Sequence, residues 1–502
     1  MPNLTGLNLQ WISWILPEIL LHILIFLLVA YHCIQTRKEP AAAVLWMFIA
    51  WSFPIFGPVL FLIFGVNRVP RRAWHKQVTD QRLRAARQAY ENEALPMAYW
   101  RSVHESLAAE PQDRTARELN NVMNAIMPDY PLLAGNAIIP LLDGDEAFPL
   151  MMAAIRNARK HIHVQTFIIG ADNTGRMFLD LLAERARSGI TVRLLYDRFG
   201  STPAVLRQMF RPYRHIPNMQ ICGWTQANAL KRQFLVNLRN HRKIMVVDGS
   251  EAFTGGINLH RENITRPEHP PIRDYHFHLT GPIVQELQYS FLRDWYFMTN
   301  DNPEILLQQD NFPHLEPTGS SLMRLANSGP TPDENGVVAD LFFECLASAR
   351  RQVLAVTPYF VPTQSIIHAF RSAALRGADV RLLLPEKNNH IYAGLAGRSL
   401  YEELLRAGVR IFHRRPPFMH AKAFMVDDHI VMIGSANLDI RSLQLNYETN
   451  LLIFDRDFAD KFKPMIINDL NAATEIRPNE WRSRPGHRKL MENFCHLLSP
   501  IL

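Results

Sequence analysis

Residues 240–258 read NHRKIMVVDGSEAFTGGIN, and residues 419–437 read MHAKAFMVDDHIVMIGSAN. Both fit one template: His, any residue, Lys, four residues, Asp, six residues, Gly, Gly or Ser, any residue, Asn. The first copy places His241, Lys243, Asp248, Gly255, Gly256 and Asn258 at the fixed positions, and the second places His420, Lys422, Asp427, Gly434, Ser435 and Asn437. With residue types at roughly one in twenty, six fixed positions coincide by chance about once in 10⁷–10⁸ starts. Two copies therefore mark a duplicated unit. Each histidine opens an alternating apolar strand (KIMVVD, KAFMVD). Residues i and i+2 of a strand share a face, so His241 and Lys243 face one ligand, and His420 and Lys422 likewise.

The repeat extends outward from these motifs. PLMMAAIRNARK leads into HIHVQTFII, and LDLLAERARSG leads into ITVRLLYD. Later, DLFFECLASARR leads into QVLAVTPYFV, and HAFRSAALRG into ADVRLLLP. Strands alternating with helices imply α/β halves with mixed or parallel sheets covered by helices. A repeat this long means duplicated domains rather than a solenoid. The expected division is 1–75, a transmembrane hairpin and basic flank; 76–130, a helical linker; and two α/β halves, 131–317 and 318–502, related by a pseudo-twofold.

The N-terminal end reads differently. Residues 11–34 and 41–65 are strongly apolar. Each is long enough to span hydrocarbon, which takes about 20 residues as a helix. Trp11, Trp14 and Tyr31 lie near the ends of the first, where amphipathic rings favour the interface. A cleaved signal is disfavoured, because residues 1–10 contain no Lys or Arg. Arg37 and Lys38 lie in the short loop, whereas Arg68, Arg71, Arg72, Lys76, Arg82 and Arg84 follow the second segment. The positive-inside rule puts that richer flank, and the rest of the chain, in the cytoplasm. The same cluster suits anionic lipid.

Lys+Arg total 54 against 47 Asp+Glu, a net charge of +7 in 502 residues. That mild basic bias suits phosphates, anionic head groups or nucleic acid and selects none of them. A 48% hydrophobic composition excludes global disorder. The four cysteines are dispersed with no CxxC pair, which disfavours a thiol metal site and points to a reducing compartment.

Two imidazoles, two ammoniums and two amides (Asn258 and Asn437) meeting at the repeat interface make a phosphodiester site, with Gly-Gly and Gly-Ser turns that let backbone approach an anion. One imidazole can form a covalent intermediate while the other moves the proton. The lysines supply positive charge, so no metal or other cofactor is expected.

The duplicated motif resembles the signature of the phospholipase D superfamily over about residues 131–502. The nearer resemblance is to bacterial cardiolipin synthases. It rests on the hairpin ending in Gly65–Arg68, on NLRNHRK (237–243), TPYFVP (357–362), NLDIRS (437–442) and NYE (446–448), and on the terminal HLLSPIL. One departure is Gly434-Ser435 where Gly-Thr is usual, which keeps the hydroxyl. The resemblance implies a membrane-bound phosphatidyltransferase that condenses two phosphatidylglycerols into cardiolipin and glycerol through a phospho-histidine, with net retention at phosphorus. It implies His241 as nucleophile and His420 as general acid and base. It also implies that a carboxylate about thirty residues after each histidine bonds that ring's other nitrogen, and Asp274 and Glu448 fit those positions. Gly256, Ser435, Asn258 and Asn437 would support the phosphate. Asp248 and Asp427 complete the motif set and suit bracing the fold better than touching substrate.

Other features have bland readings. His161/His163 and His276/His278 are one-face pairs more often hydrogen-bonded than metal-bound. Arg273 and Arg441 suit either a head-group phosphate or an ion pair. Tyr359 and Phe360 read as packing near a lipid entrance, and Leu490, Phe494, Leu497 and Leu498 as core, with membrane contact at Pro500–Leu502 second. The expected partners are phospholipid and bilayer. Nucleic acid is disfavoured, because a nuclease has little need of a hairpin. Hydrolysis of head groups is the main rival activity, and a non-catalytic scaffold is disfavoured by two complete motifs.

Overall fold

The computed structural model describes residues 9–36, 40–65, 69–92, 111, 113–224, 238–267, 269–497 and 499. Arg37, Lys38, Arg68, Asn237 and Leu498, together with Pro500–Leu502, lie outside the described residues.

The chain divides into two compact units, residues 1–70 and 71–502. In the first, one helix runs Leu9–Gln35. Its stretch Leu16–Gln35 is long and apolar enough to cross a membrane. The second apolar segment is not one helix as expected. It runs Pro40–Ser52, then Phe56–Leu60, then a π turn Phe61–Gly65. Pro54 falls in the break, where it has no N–H to donate and its ring crowds the preceding turn. Val29, Cys33, Ala50 and Phe61 form a small core between these pieces.

In the second unit the strands are β1 (Leu132–Leu142), β2 (His161–Thr166), β3 (Thr191–Asp197), β4 (Met219–Trp224), β5 (Ile244–Val247), β6 (Glu251–Gly255) and β7 (Tyr275–Thr280). The second half supplies β8 (Ser321–Ser328), β9 (Gln352–Val356), β10 (Phe360–Val361), β11 (Asp379–Pro385), β12 (Arg410–Arg414), β13 (Ala423–Val426), β14 (Ile430–Gly434), β15 (Leu438–Asp439), β16 (Glu448–Phe454) and β17 (Ala473–Glu475). Among the described residues, 15 of these form one sheet. Outward from its middle the order is β1-β7-β6-β5-β2-β3-β4 on one side and β8-β16-β14-β13-β9-β11-β12-β17 on the other. The same sequence of elements thus repeats about the antiparallel β1–β8 pair. β2, β3 and β4 are mutually parallel, as are β9, β11 and β12, while the motif strands β5 and β13 run antiparallel to their neighbours.

Strands such as His161–Thr166 and Ala423–Val426 are buried at every position, because helices cover both faces. One hydrophobic core crosses the seam, joining Ile244, Val246, Phe277 and Leu279 to Met323, Leu325, Phe424 and Leu452. The short pair β10–β15 stands apart from the large sheet.

The stretch expected as a linker is partly docked. The helix Val69–Asn92 buries Lys76, Asp80 and Leu83. Lys76 lies 2.8 Å from Asp80 and 3.1 Å from Asp294, and Arg293 lies 2.6 Å from Asp80. A polar sequence is held in the interior by ion pairs that no hydropathy pattern reveals. The helix Arg114–Ile126 likewise places Leu119 and Met123 in the main core. Leu490, Phe494 and Leu497, expected in the core, are 72%, 58% and 76% exposed. The helix Gly486–Leu497 instead buries Glu492 and Cys495, with Arg484 paired to Glu492 at 2.6 Å.

Candidate active site

Each motif strand begins just after its histidine. The backbone entering β5 is fixed by the second half: His241 N–H donates to Tyr447 O and Tyr447 N–H to Arg239 O, both at 2.9 Å. The backbone entering β13 is fixed by the first half: Arg273 N–H donates to Phe418 O at 2.9 Å and His420 N–H to Arg273 O at 2.7 Å. Each histidine segment is therefore stitched to the residues preceding the other half's carboxylate.

That stitching exchanges the partners that the family resemblance implied. Glu448 holds His241, with Oε2 2.9 Å and Oε1 3.1 Å from Nδ1. Asp274 holds His420, with Oδ2 2.8 Å from Nδ1. Both carboxylates are fully buried. The carboxylate that follows each histidine in sequence serves the ring from the other half.

The Gly-Gly and Gly-Ser turns also act differently from the expectation. A Cβ on Gly256 would lie 2.0 Å from Asp274 Oδ1, so glycine there makes room for the carboxylate. At the equivalent place Ser435 Oγ donates to Glu448 Oε2 at 2.6 Å. Asn446 Nδ2 adds a donor to Glu448 Oε1 at 3.2 Å. Gly256 and Ser435 thus brace the carboxylates and are not in the wall of the cavity described below.

With Nδ1 engaged by a carboxylate, each ring presents Nε2 for chemistry. His241 and His420 line the same cavity, of about 580 Å³. Asn258 and Asn437 line it too. Asn258 Oδ1 accepts from Ile168 N–H at 3.1 Å, which leaves its amide hydrogens for a ligand. Asn437 Nδ2 donates to Ser442 Oγ at 3.3 Å. Lys243 and Lys422, expected to face the ligand with the histidines, are not in the cavity wall. Lys243 Nζ donates to His241 O at 2.7 Å, and Lys422 Nζ lies 2.9 Å from His420 Nδ1 and 3.0 Å from Nε2.

Burial governs the electrostatics. Burial, with the neighbouring lysines, lowers the His241 pKa to about 4 against the pull of Glu448. Burial and then Lys422 lower His420 to about 3. Burial lowers Lys243 to about 7 and Lys422 to about 8. For Asp274 and Glu448 burial works upward but is outweighed, by Lys422 and His420 in one and by His241 and Lys243 in the other, so both stay ionised. The cavity wall therefore holds neutral imidazoles bonded to ionised, buried carboxylates, beside lysines that release their protons easily.

Asp248 and Asp427 lie at the other ends of β5 and β13, away from the rings. Asp248 accepts from the N–H groups of Arg159, Lys160 and His161 at 2.7, 2.7 and 3.0 Å. Asp427 accepts from those of Arg350, Arg351 and Gln352 at 2.9, 2.7 and 2.9 Å. Both adopt positive φ, 52° and 50°. They tie the motif strand to the start of β2 or β9.

The cavity wall also holds residues that the sequence reading did not single out, among them Phe167, Phe199, Asn389, His390 and Tyr392, while Arg239 and Asn446 fall inside quoted segments without having been given a role. Phe167 meets the His241 ring edge-on at 4.9 Å, and Tyr359 meets the His420 ring at 6.4 Å. These aromatics follow β2 and β9, the equivalent strands, so aligning QTF with VTPY in the repeat would have found the first. Tyr359 lines the cavity, whereas Phe360 packs on Phe370. Arg273 is an ion-pair residue, 2.8 Å from Asp469, while Arg441 lines the cavity. His163 is hydrogen-bonded to Gln288 and Arg193 at 3.0 and 2.9 Å, His161 to Gln288 at 3.0 Å, and His278 to Glu251 at 3.1 Å. His276 is buried beside Gly255.

Comparison with known proteins agrees with this architecture. Residues 151–295 and 342–470 match the family model described as "Cardiolipin synthase, PLD-like domain", and residues 24–65 match "Phospholipase_D-nuclease N-terminal". Cardiolipin synthase A of Pseudomonas putida (strain W619) is 36% identical over 486 residues, 95% of this chain and 96% of that protein. Cardiolipin synthase A of Pseudomonas entomophila (strain L48) is 36% identical over 491 residues, 96% and 97% of the two chains. The crystal structure of phosphatidylserine synthase from Haemophilus influenzae Rd KW20 covers 78% of this chain and 100% of its own, with a TM-score of 0.59 at 18% identity, a likeness of fold. The paired halves, the duplicated motif and near full-length relatives together show that the chain belongs to the phospholipase D-like cardiolipin synthase family.

Proposed function

We propose that this protein is a membrane-bound phosphatidyltransferase that condenses two phosphatidylglycerol molecules into cardiolipin and glycerol. The observation that carries the reading is the single cavity lined by His241 and His420, one from each half, each ring oriented by a buried carboxylate.

His241 Nε2 attacks the phosphorus of the first lipid; an N–P bond forms as the bond to the glycerol oxygen breaks. His420 donates a proton to that leaving oxygen. The second lipid's terminal hydroxyl then gives its proton to His420 and attacks the phosphorus, so that the O–P bond forms and the N–P bond breaks. Burial keeps the His420 ring neutral, and the charge of the phosphodiester is what makes its protonation favourable. Lys243, Lys422 and the amides of Asn258 and Asn437 balance charge gathering on the phosphoryl oxygens. Phe167 and Tyr359 exclude water beside the rings, which favours a lipid alcohol over hydrolysis.

Residues 1–75 anchor the enzyme as a two-pass hairpin in the bacterial cytoplasmic membrane, with the catalytic halves on the cytoplasmic side. The apolar length of Leu16–Gln35 and the basic flank support this placement. The test is to incubate purified full-length protein with phosphatidylglycerol alone. Cardiolipin with equimolar glycerol supports transfer, and phosphatidic acid with glycerol identifies a hydrolase.

A further inference from the structure

The catalytic groups are duplicated, but two cations in the same cavity are not. Arg239 and Arg441 both line it. Arg239 stands two residues before His241, where the second motif has Phe418; Arg441 stands four after Asn437, where the first has Glu262. Glu262 is itself paired with Arg266 at 2.6 Å. One arginine comes from each half, and neither has a counterpart across the pseudo-twofold.

The surroundings of Arg239 suit an anion. The Arg239 guanidinium lies 3.8 Å over the Phe199 ring, and its buried Nε has no hydrogen-bond partner. Asp197 and Asp439 offset part of its charge while their oxygens also accept from backbone. Asp197 accepts from the N–H groups of Phe199, Gly200 and Asn240 at 2.8, 3.0 and 2.9 Å, and Asp439 accepts from that of Ser442 at 2.8 Å. Burial and then Arg441 lower the Arg239 pKa to about 10, the mark of two guanidiniums sharing poorly solvated space.

Charge decides what belongs there. The histidines and lysines already accommodate one phosphodiester. The leaving glycerol is neutral, and so is water. A hydrolase acting on one lipid needs no second cationic centre in its pocket. A transferase whose acceptor is itself a phosphodiester lipid does. Guanidiniums suit that role, because their donors match phosphate oxygens in pairs. We propose that Arg239 and Arg441 form the subsite for the phosphodiester of the acceptor lipid, and so set which of the two bound lipids attacks. This rests on the transferase reading above.

The experiment uses full-length protein in mixed micelles and compares Arg239→Gln and Arg441→Gln with wild type. Two acceptors compete for the same phosphatidyl-enzyme: phosphatidylglycerol, read as cardiolipin, and labelled glycerol, read as exchange into phosphatidylglycerol. Each Gln variant should lower the cardiolipin-to-exchange ratio by about tenfold or more, the loss of a charge-assisted phosphate contact, chiefly through the KM for acceptor lipid. Arg239→Lys and Arg441→Lys, which keep the charge, should recover part of that ratio. A ratio unchanged in the Gln variants overturns the subsite, as does an equal fall in both products, which places the arginines in the donor step or in folding. Wild-type protein that yields phosphatidic acid and no cardiolipin overturns the transferase reading and the subsite with it. Cardiolipin from wild type with an indifferent ratio in the variants removes the subsite alone.

Discussion

At the residue scale, His241 and His420 depend on carboxylates that hold Nδ1 while both rings line one cavity. Glu448→Gln keeps the shape but can offer its amide N–H to the ring and loses the charge that stabilises an imidazolium. Steady-state assays should show kcat reduced by about 10²–10⁴, with apparent KM little changed. Asp427→Ala should act elsewhere. It removes an acceptor for three backbone N–H groups, so denaturant titration should show a loss of about 2–3 kcal/mol, while the folded fraction keeps its turnover. The pH dependence has a definite sign on each side. Lys243 and Lys422, lowered to about 7 and 8, lose their charge as pH rises through that range, so kcat/KM should fall on the alkaline side. His241 and His420 titrate below their unfolded value, so between about pH 4 and 6.5 the unfolded chain binds more protons than the native one. Folding stability should therefore drop as pH falls through that window, which midpoints measured against pH will show. The histidines, lysines and motif aspartates were legible from the repeated motif, and the partner carboxylates through the family resemblance. Their pairing was not: which carboxylate serves which ring is decided by the Arg273–Met419 and Asn240–Tyr447 bridges between distant segments, and spacing carries no trace of those.

At the scale of elements, the turn after β6 shows why one motif has Gly where the other has Ser. Gly256 admits a short aspartate pressed against backbone, and Ser435 donates to a glutamate. Gly256→Ala should displace Asp274 and, through it, His420. A misplacement on the order of 1 Å costs about 10² in rate, so kcat should fall by about that factor while Ser435→Ala, which removes only one of several donors to Glu448, costs less. Kinetics of the two purified variants check the order. The strands themselves were legible, because runs such as IMVV and AFMV are apolar throughout. Docking of the helix Val69–Asn92 was not, because Lys76, Asp80, Asp294 and Arg293 hold it by charge in a region whose sequence reads as solvated. The broken second apolar segment was written in Pro54, and length alone obscured it.

At the scale of the whole molecule, duplication supplies the chemistry and departures from it supply direction. The two halves meet at β1–β8 with the same order of strands on either side. Neither half contains a complete ring–carboxylate pair, so each is catalytically incomplete without the other. Arg242, the middle residue of the first motif, is buried between Asp294 at 2.9 Å and Glu334 at 3.0 Å, whereas the second motif has Ala421 there. This asymmetry ties the segment carrying His241, and not its counterpart, to the interior by charge. The measurement that tests this most directly is mass spectrometry of protein quenched within one turnover of phosphatidylglycerol. The account predicts a phosphatidyl group on the peptide bearing His241, absent from His241→Ala. An adduct confined to the His420 peptide, or steady turnover by the His241→Ala protein, would contradict it.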